Sequence, residues 1–117
     1  MKIFKKPVAI ARVNDVDIVV IEPADKILEI KSVCDALGVP YREEIERIKY
    51  NFALKSKTKT EIVVSYGGLK IRTLGIPFSS SRDWMYDMAS SGKYKINEGA
   101  YYEIIRLVEV FENELGV

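Results

Sequence analysis

Histidine is absent from these 117 residues, and cysteine occurs once, at Cys34. Together these absences exclude imidazole acid/base catalysis, nearly every zinc-site geometry and any disulfide within the chain. Cys34 stands between Val33 and Asp35 in a predicted helix and reads as a buried structural thiol, because no imidazole exists to activate it. Long apolar runs are missing too. Nothing approaches the roughly 20 residues of a bilayer span. The opening MKIFKKPVAI is basic but lacks the apolar stretch and small-residue cleavage site of a secretory leader. These gaps lead to the expectation of a cytoplasmic protein without membrane contact. Internal repeats, low-complexity tracts and long linkers are likewise lacking, so residues 1–117 are expected to form one domain around one core.

The composition that remains is that of a globular chain, 48% hydrophobic and 30% charged, which argues against disorder. Net charge is only +1, yet its distribution is uneven. Between Arg42 and Arg72 eight basic residues stand against four acidic ones, while from Glu98 to Glu114 only Arg106 offsets five glutamates. Such asymmetry steers nucleic acid to one surface, lets copies meet head to tail, or marks ordinary solvated faces.

Patterning predicts an α+β fold with two β-hairpins, a helix-turn-helix-like pair, a third short helix and a long C-terminal helix. Val8–Val13 and Val16–Glu22 flank Asn14-Asp15, a dipeptide that tolerates the positive φ of a two-residue hairpin turn. Pro23 to Lys26 is a turn, and Ile27–Ile30 a short third strand. A helix from about Lys31 to Leu37 stops at Gly38, which takes a left-handed C′ conformation without Cβ strain. Pro40, expected at the first helical position, opens a second helix to about Asn51 with Tyr41, Ile45, Ile48 and Phe52 along one face. Its other face carries Arg42, Glu43, Glu46, Arg47 and Lys49, with Glu43 and Arg47 as an exposed i, i+4 pair.

Lys55 to Thr60 breaks the apolar pattern and is expected in an exposed loop or at a strand edge. Glu61–Tyr66 and Leu69–Leu74 around Gly67-Gly68 predict a second hairpin with an I′ or II′ turn. Its apolar face groups Ile62, Val64, Tyr66, Leu69, Ile71 and Thr73, and Lys70 and Arg72 give the other face a basic character. Ser80 with Asp83 resembles a capping box that opens a helix through Trp84, Met85 and Met88, ended by Ser90-Ser-Gly92. Ser79, Ser80 and Ser81 are thus expected to be capping residues. From about Glu98 to Leu115 the set Tyr101, Ile104, Ile105, Val108, Phe111 and Leu115 forms a broad apolar stripe flanked by Tyr102, Leu107 and Val110. Its margin is a candidate surface for a second copy.

No constellation announces a chemistry. Gly67-Gly68 lacks the Gly-Lys-Ser/Thr of a phosphate loop, and the serine run lacks a histidine or a suitably spaced lysine. The acidic pairs Glu43-Glu44, Asp15 with Asp17, and Glu112 with Glu114 lack the spacing of a calcium loop. Trp84, Tyr86 and the tyrosines near the C-terminus lack the alternating aromatic strands of single-strand binders and are assigned to core packing. No catalytic residue, metal or cofactor is expected. The corner at Gly38-Val39-Pro40 and its basic sequel leave DNA binding open. Only Tyr41 and Arg42 stand where a recognition helix meets base edges, so any contact is expected at phosphates. The candidate nucleic-acid or partner contacts are Arg42, Arg47, Lys49, Lys55, Lys57, Lys59, Lys70 and Arg72.

The order of these motifs resembles the N-terminal domain of phage antirepressor proteins, related to Bro-N domains of viral and prophage regulators. A strand hairpin leads into IKSVCDALGV, which is similar to that family's K-x-(I/V)-C-x-x-LG helix. EEIERIK, NFALKS, the hairpin YGGLKIRTLGIPF and the helix with DWMYDM then follow in the family's order, from about Val8 to Leu115. The resemblance implies a cofactor-free bacterial cytoplasmic regulator from a prophage or other mobile element. It also implies a repressor-like protein partner, with DNA as the alternative through the Bro-N relatives. Family members usually continue into a second, C-terminal domain, whereas this sequence ends at Val117.

Overall fold

In the computed structural model, which describes residues 7–21, 26–66 and 69–115, Asn14 and Asp15 both hold positive φ, 51° and 62°. That is the signature of a type I′ turn, and it closes strand β1 (Pro7–Val13) onto β2 (Val16–Ile21) with Val13 opposite Val16. Strand β3 (Ile27–Glu29) pairs with β2 on one side and with β5 (Leu69–Pro77) on the other, and β4 (Lys59–Tyr66) completes the sheet. The order β1-β2-β3-β5-β4 is antiparallel throughout. The short third strand is therefore the piece that joins the two hairpins into one sheet.

The second hairpin places Tyr66 opposite Leu69 and pairs Val64 with Ile71 and Ile62 with Thr73, consistent with the expected grouping. The Gly67-Gly68 turn, the side chains of residues 59–71, Glu22 and most of the Pro23–Lys26 turn lie outside the described residues.

Register shifts between Ala9 and Ala11 and between Lys59 and Ile62 mark irregularities in the two edge strands. Bulges bend a strand and sharpen its twist. The edges β1 and β4 approach to within 8 Å between Cα atoms, so the sheet curls. Alternation places Ile18, Val20, Leu28, Leu74 and Ile76 on the helix-covered face. The opposite, inner face of the curl holds Ile21 and Ile27, also fully buried. Burial on both faces explains why β2 ends in an unbroken apolar run.

Helix α1 (Ile30–Leu37) lies on β2 and β5 and buries Ile30, Val33, Cys34 and Leu37. Ser32 fastens it down. Its hydroxyl accepts from the Val19 amide at 3.1 Å and donates to the Glu29 carbonyl at 3.0 Å. Gly38 takes φ 76°, its amide donates to the Asp35 carbonyl, and the Val39 amide donates to Cys34. This is the expected glycine stop, in Schellman form. Helix α2 (Tyr41–Lys49) follows, with Pro40 as its extended N-cap rather than its first residue, so it starts one residue later than expected.

Two expectations need correction. Lys55 to Lys57 are not loop, because Phe52–Lys57 forms a short helix, α3, in which the Lys55 amide donates to the Asn51 carbonyl at 2.9 Å. Loss of apolar periodicity is not loss of helix, because lysine is a good helix former. Helix α4 (Phe78–Ser90) begins before the serine run, after Pro77, and has no side-chain cap. The Lys26 carbonyl accepts its first amide, from Phe78, at 2.9 Å, so a neighbouring segment supplies the cap. Ser81, fully buried, donates instead to the Phe78 carbonyl.

Gly92, at φ 71°, follows the end of α4. Helix α5 (Glu98–Leu115) has its expected bounds. Asn97 caps it by accepting the Ala100 amide at 3.0 Å, while its own amide donates to the Leu37 carbonyl at the end of α1. α4 and α5 pack antiparallel, with Phe78 and Phe111 edge to face at 6.1 Å. No helix among the described residues is long and apolar enough to cross a membrane.

Candidate functional site

The basic residues singled out from the sequence divide into three groups. Arg42 on α2, Lys49 at its end, Lys55 on α3 and Arg72 on β5 are exposed. Lys49 stands 3.8 Å from Glu46, and next to it Tyr50 is 87% exposed. Lys57, Lys59 and Lys70 are placed by their backbone at the end of α3, the start of β4 and opposite Ser65, and their side chains lie outside the described residues.

Arg47 behaves differently. Its side chain is 14% exposed and turns inward, contrary to the expected solvated pair with Glu43. The cause is Glu44, a carboxylate with no exposed surface that requires a cation beside it. Arg47 Nε and Nη2 donate to the two Glu44 oxygens at 2.7 and 2.8 Å, and Trp84 Nε1 donates to the same carboxylate at 2.7 Å. Arg47 Nη1 reaches on to Asp87. Hydrogen bonding to Glu44, and then to Asp87, raises the guanidinium above its already high ordinary pKa. The cluster fastens α2 to α4.

With three charge-assisted donors, the Glu44 carboxylate is engaged in structure rather than offered to a substrate. Cys34 is equally occupied. Burial pushes its thiol well up, the Glu44 charge adds to this, and the group is held as an inert thiol. That agrees with its expected packing role. Among the described residues, no three His, Cys, Asp or Glu side chains converge as metal ligands do.

Beside this cluster lies a groove of about 820 Å³ between α4 and the start of α5. Tyr86 and Ser90 line it from α4, Tyr94 and Lys95 from the connection, and Glu98, Tyr101 and Tyr102 from α5. Tyr86 is 70% exposed and Tyr102 67% exposed, so the core assignment holds for Trp84 and fails for these two tyrosines. The Tyr101 and Tyr102 rings meet edge to face at 5.4 Å. Burial, then the neighbouring Tyr102 and Tyr86, raises the Tyr101 pKa and keeps its hydroxyl protonated.

Tyr94 connects groove and cluster. Its ring lines the groove while its hydroxyl is buried near Glu44, off hydrogen-bond geometry. Burial first, and the Glu44 charge next, push its pKa up to about 12. A partial signal for the groove was present in the sequence. Tyr86 falls off the face shared by Trp84, Met85 and Met88, and Tyr102 falls beside the apolar stripe rather than on it. That the two would meet across α4 and α5 depends on the antiparallel packing of those helices. Comparison with protein-family models, with curated proteins and with solved structures finds no match to this chain.

Proposed function

We propose that this chain is a non-enzymatic regulatory module, of the prophage-derived kind implied by the antirepressor resemblance, that acts on a protein partner through the tyrosine groove of α4 and α5. The observation that carries the proposal is the pair Tyr86 and Tyr102, each about two-thirds exposed on the wall of a concave site. Tyrosine offers a large, rigid, amphipathic contact surface at little entropic cost, which suits it to protein recognition. The engagement of Glu44 and Cys34 in structure also favours binding over catalysis. In this reading the partner is a repressor-like protein whose grip on its operator is loosened by the contact.

The test is capture of partners from the native host by the wild-type chain and by a Tyr86→Ala/Tyr102→Ala variant. The wild type retains a transcriptional repressor that the variant loses. Equal capture by both would remove the groove from the function.

A second reading, a DNA-binding module, is favoured by one observation: the highly exposed Tyr50 beside Lys49, with Arg42 and Lys55 on the same or the adjoining helix. Such a patch would grip phosphates and stack a base. In an electrophoretic shift assay its affinity falls steeply with salt, and Lys49→Ala/Lys55→Ala flattens that dependence. The absence of any shift at low salt ends this reading.

A further inference from the structure

The groove also carries information about the chemistry of its occupant. Tyr86, Tyr94, Tyr101 and Tyr102 line the groove; its charged lining residues are Lys95 and Glu98, and Lys93 Nζ stands over the Tyr94 ring, 5.4 Å from its centroid. A single-stranded nucleic acid requires a funnel of positive charge, which two lysines beside one glutamate do not supply. An amphipathic helix requires a row of aliphatic pockets at helical spacing, and here the aliphatic lining is only Ala89 and Ile96, beside four tyrosines.

A polyproline II segment fits both properties. It has no internal hydrogen bonds, so its carbonyls remain free acceptors, and its proline rings are flat apolar units that settle between aromatic side chains. Tyr86, Tyr101 and Tyr102 provide rings of that kind, and their hydroxyls provide the donors. The Tyr101 and Tyr102 rings stand at 86° to each other, so their faces point in different directions. The ligand core is uncharged, in keeping with the small net charge of the site, and Lys95 and Glu98 select the residues that flank it.

We propose that the α4–α5 groove binds a proline-rich segment of a partner protein in the polyproline II conformation. This deepens the protein-contact reading above and rests on it.

An arrayed set of proline-rich peptides with varied flanking residues, titrated against the isotope-labelled intact chain, provides the test. The best of them should give saturable amide shifts concentrated between Tyr86 and Tyr102. Tyr86→Ala and Tyr102→Ala should each weaken its binding by roughly thirtyfold, the size of one hot-spot contact. Both positions are largely exposed, so neither truncation threatens the fold, and Ser79→Ala, exposed at the opposite end of α4, serves as a control that leaves the affinity unchanged. The inference is overturned if no proline-rich peptide saturates those amides, or if an amphipathic helical peptide or an oligothymidylate does so instead. If that happens while the tyrosine variants still lose the host partner, the proline preference falls and the binding reading stands. If the variants lose nothing in host capture, both fall.

Discussion

Replacing Arg47 by methionine should be among the most damaging single changes available on α2, although the sequence presents Arg47 as an exposed basic residue. The substitution leaves the Glu44 carboxylate with no exposed surface and removes two of its three hydrogen bonds, retaining only Trp84 Nε1. Breaking a buried pair by removing one partner typically costs about 3–5 kcal/mol. Against the roughly 5–15 kcal/mol that holds a domain folded, this is a large fraction.

The comparison variants follow from the same geometry. Glu44→Gln keeps an oxygen for Trp84 but turns an amide N–H toward Arg47, whose guanidinium then has only Asp87 as a charged partner, at an expected loss of about 1–3 kcal/mol. Asp87→Asn touches a side chain that is 45% exposed and should cost under about 1 kcal/mol. The decisive construction is the double variant Arg47→Met/Glu44→Gln. It removes the stranded charge and should be more stable than Arg47→Met alone.

Urea unfolding followed through Trp84, the sole tryptophan, reports each change as a shift in midpoint at constant slope. A cost under about 1 kcal/mol for Arg47→Met, or no recovery on adding Glu44→Gln, would rule out Arg47 as the buried partner of Glu44. A small cost is also what a surface, DNA-facing role for Arg47 would give.

The remaining expectations are narrower. Gly38→Ala should destabilise the chain by about 1–2 kcal/mol in the same unfolding assay, because a Cβ there meets no neighbouring atom and the whole effect is backbone strain at φ 76°. Tyr94→Phe removes a buried hydroxyl off hydrogen-bond geometry and should leave stability equal or raise it by up to about 1 kcal/mol; a loss of that size would mean the hydroxyl bonds Glu44. Because the folded Tyr94 pKa lies above its ordinary value, the wild type should lose stability as pH rises from about 10 through about 12, and Tyr94→Phe should blunt that loss in a pH series of melts. Self-association through α5 is motivated by Val110, 44% exposed at the margin of the stripe. Light scattering at high concentration should then show a mass above the monomer's that Val110→Glu returns to it.

Much of this protein was determined within windows of a few residues. Asn14-Asp15 closes its hairpin, Gly38 ends α1, Gly92 follows the end of α4, and α5 begins and ends where its apolar spacing places it, because φ preferences and helical period are properties of neighbours in the chain. The tertiary structure decided what depends on distant partners. It made β3 the link between two hairpins, since strand pairing joins residues such as Glu29 and Gly75. It started α4 on a carbonyl supplied by Lys26, where the local serines suggested a later cap. It also turned Arg47 inward and buried Glu44, whose partner Trp84 is 40 residues away, and it brought Tyr86 and Tyr102 to one groove. Histidine's absence narrowed the chemistry from the start. Which charges are buried and which rings remain exposed are properties of contacts between elements, and no local pattern encodes them.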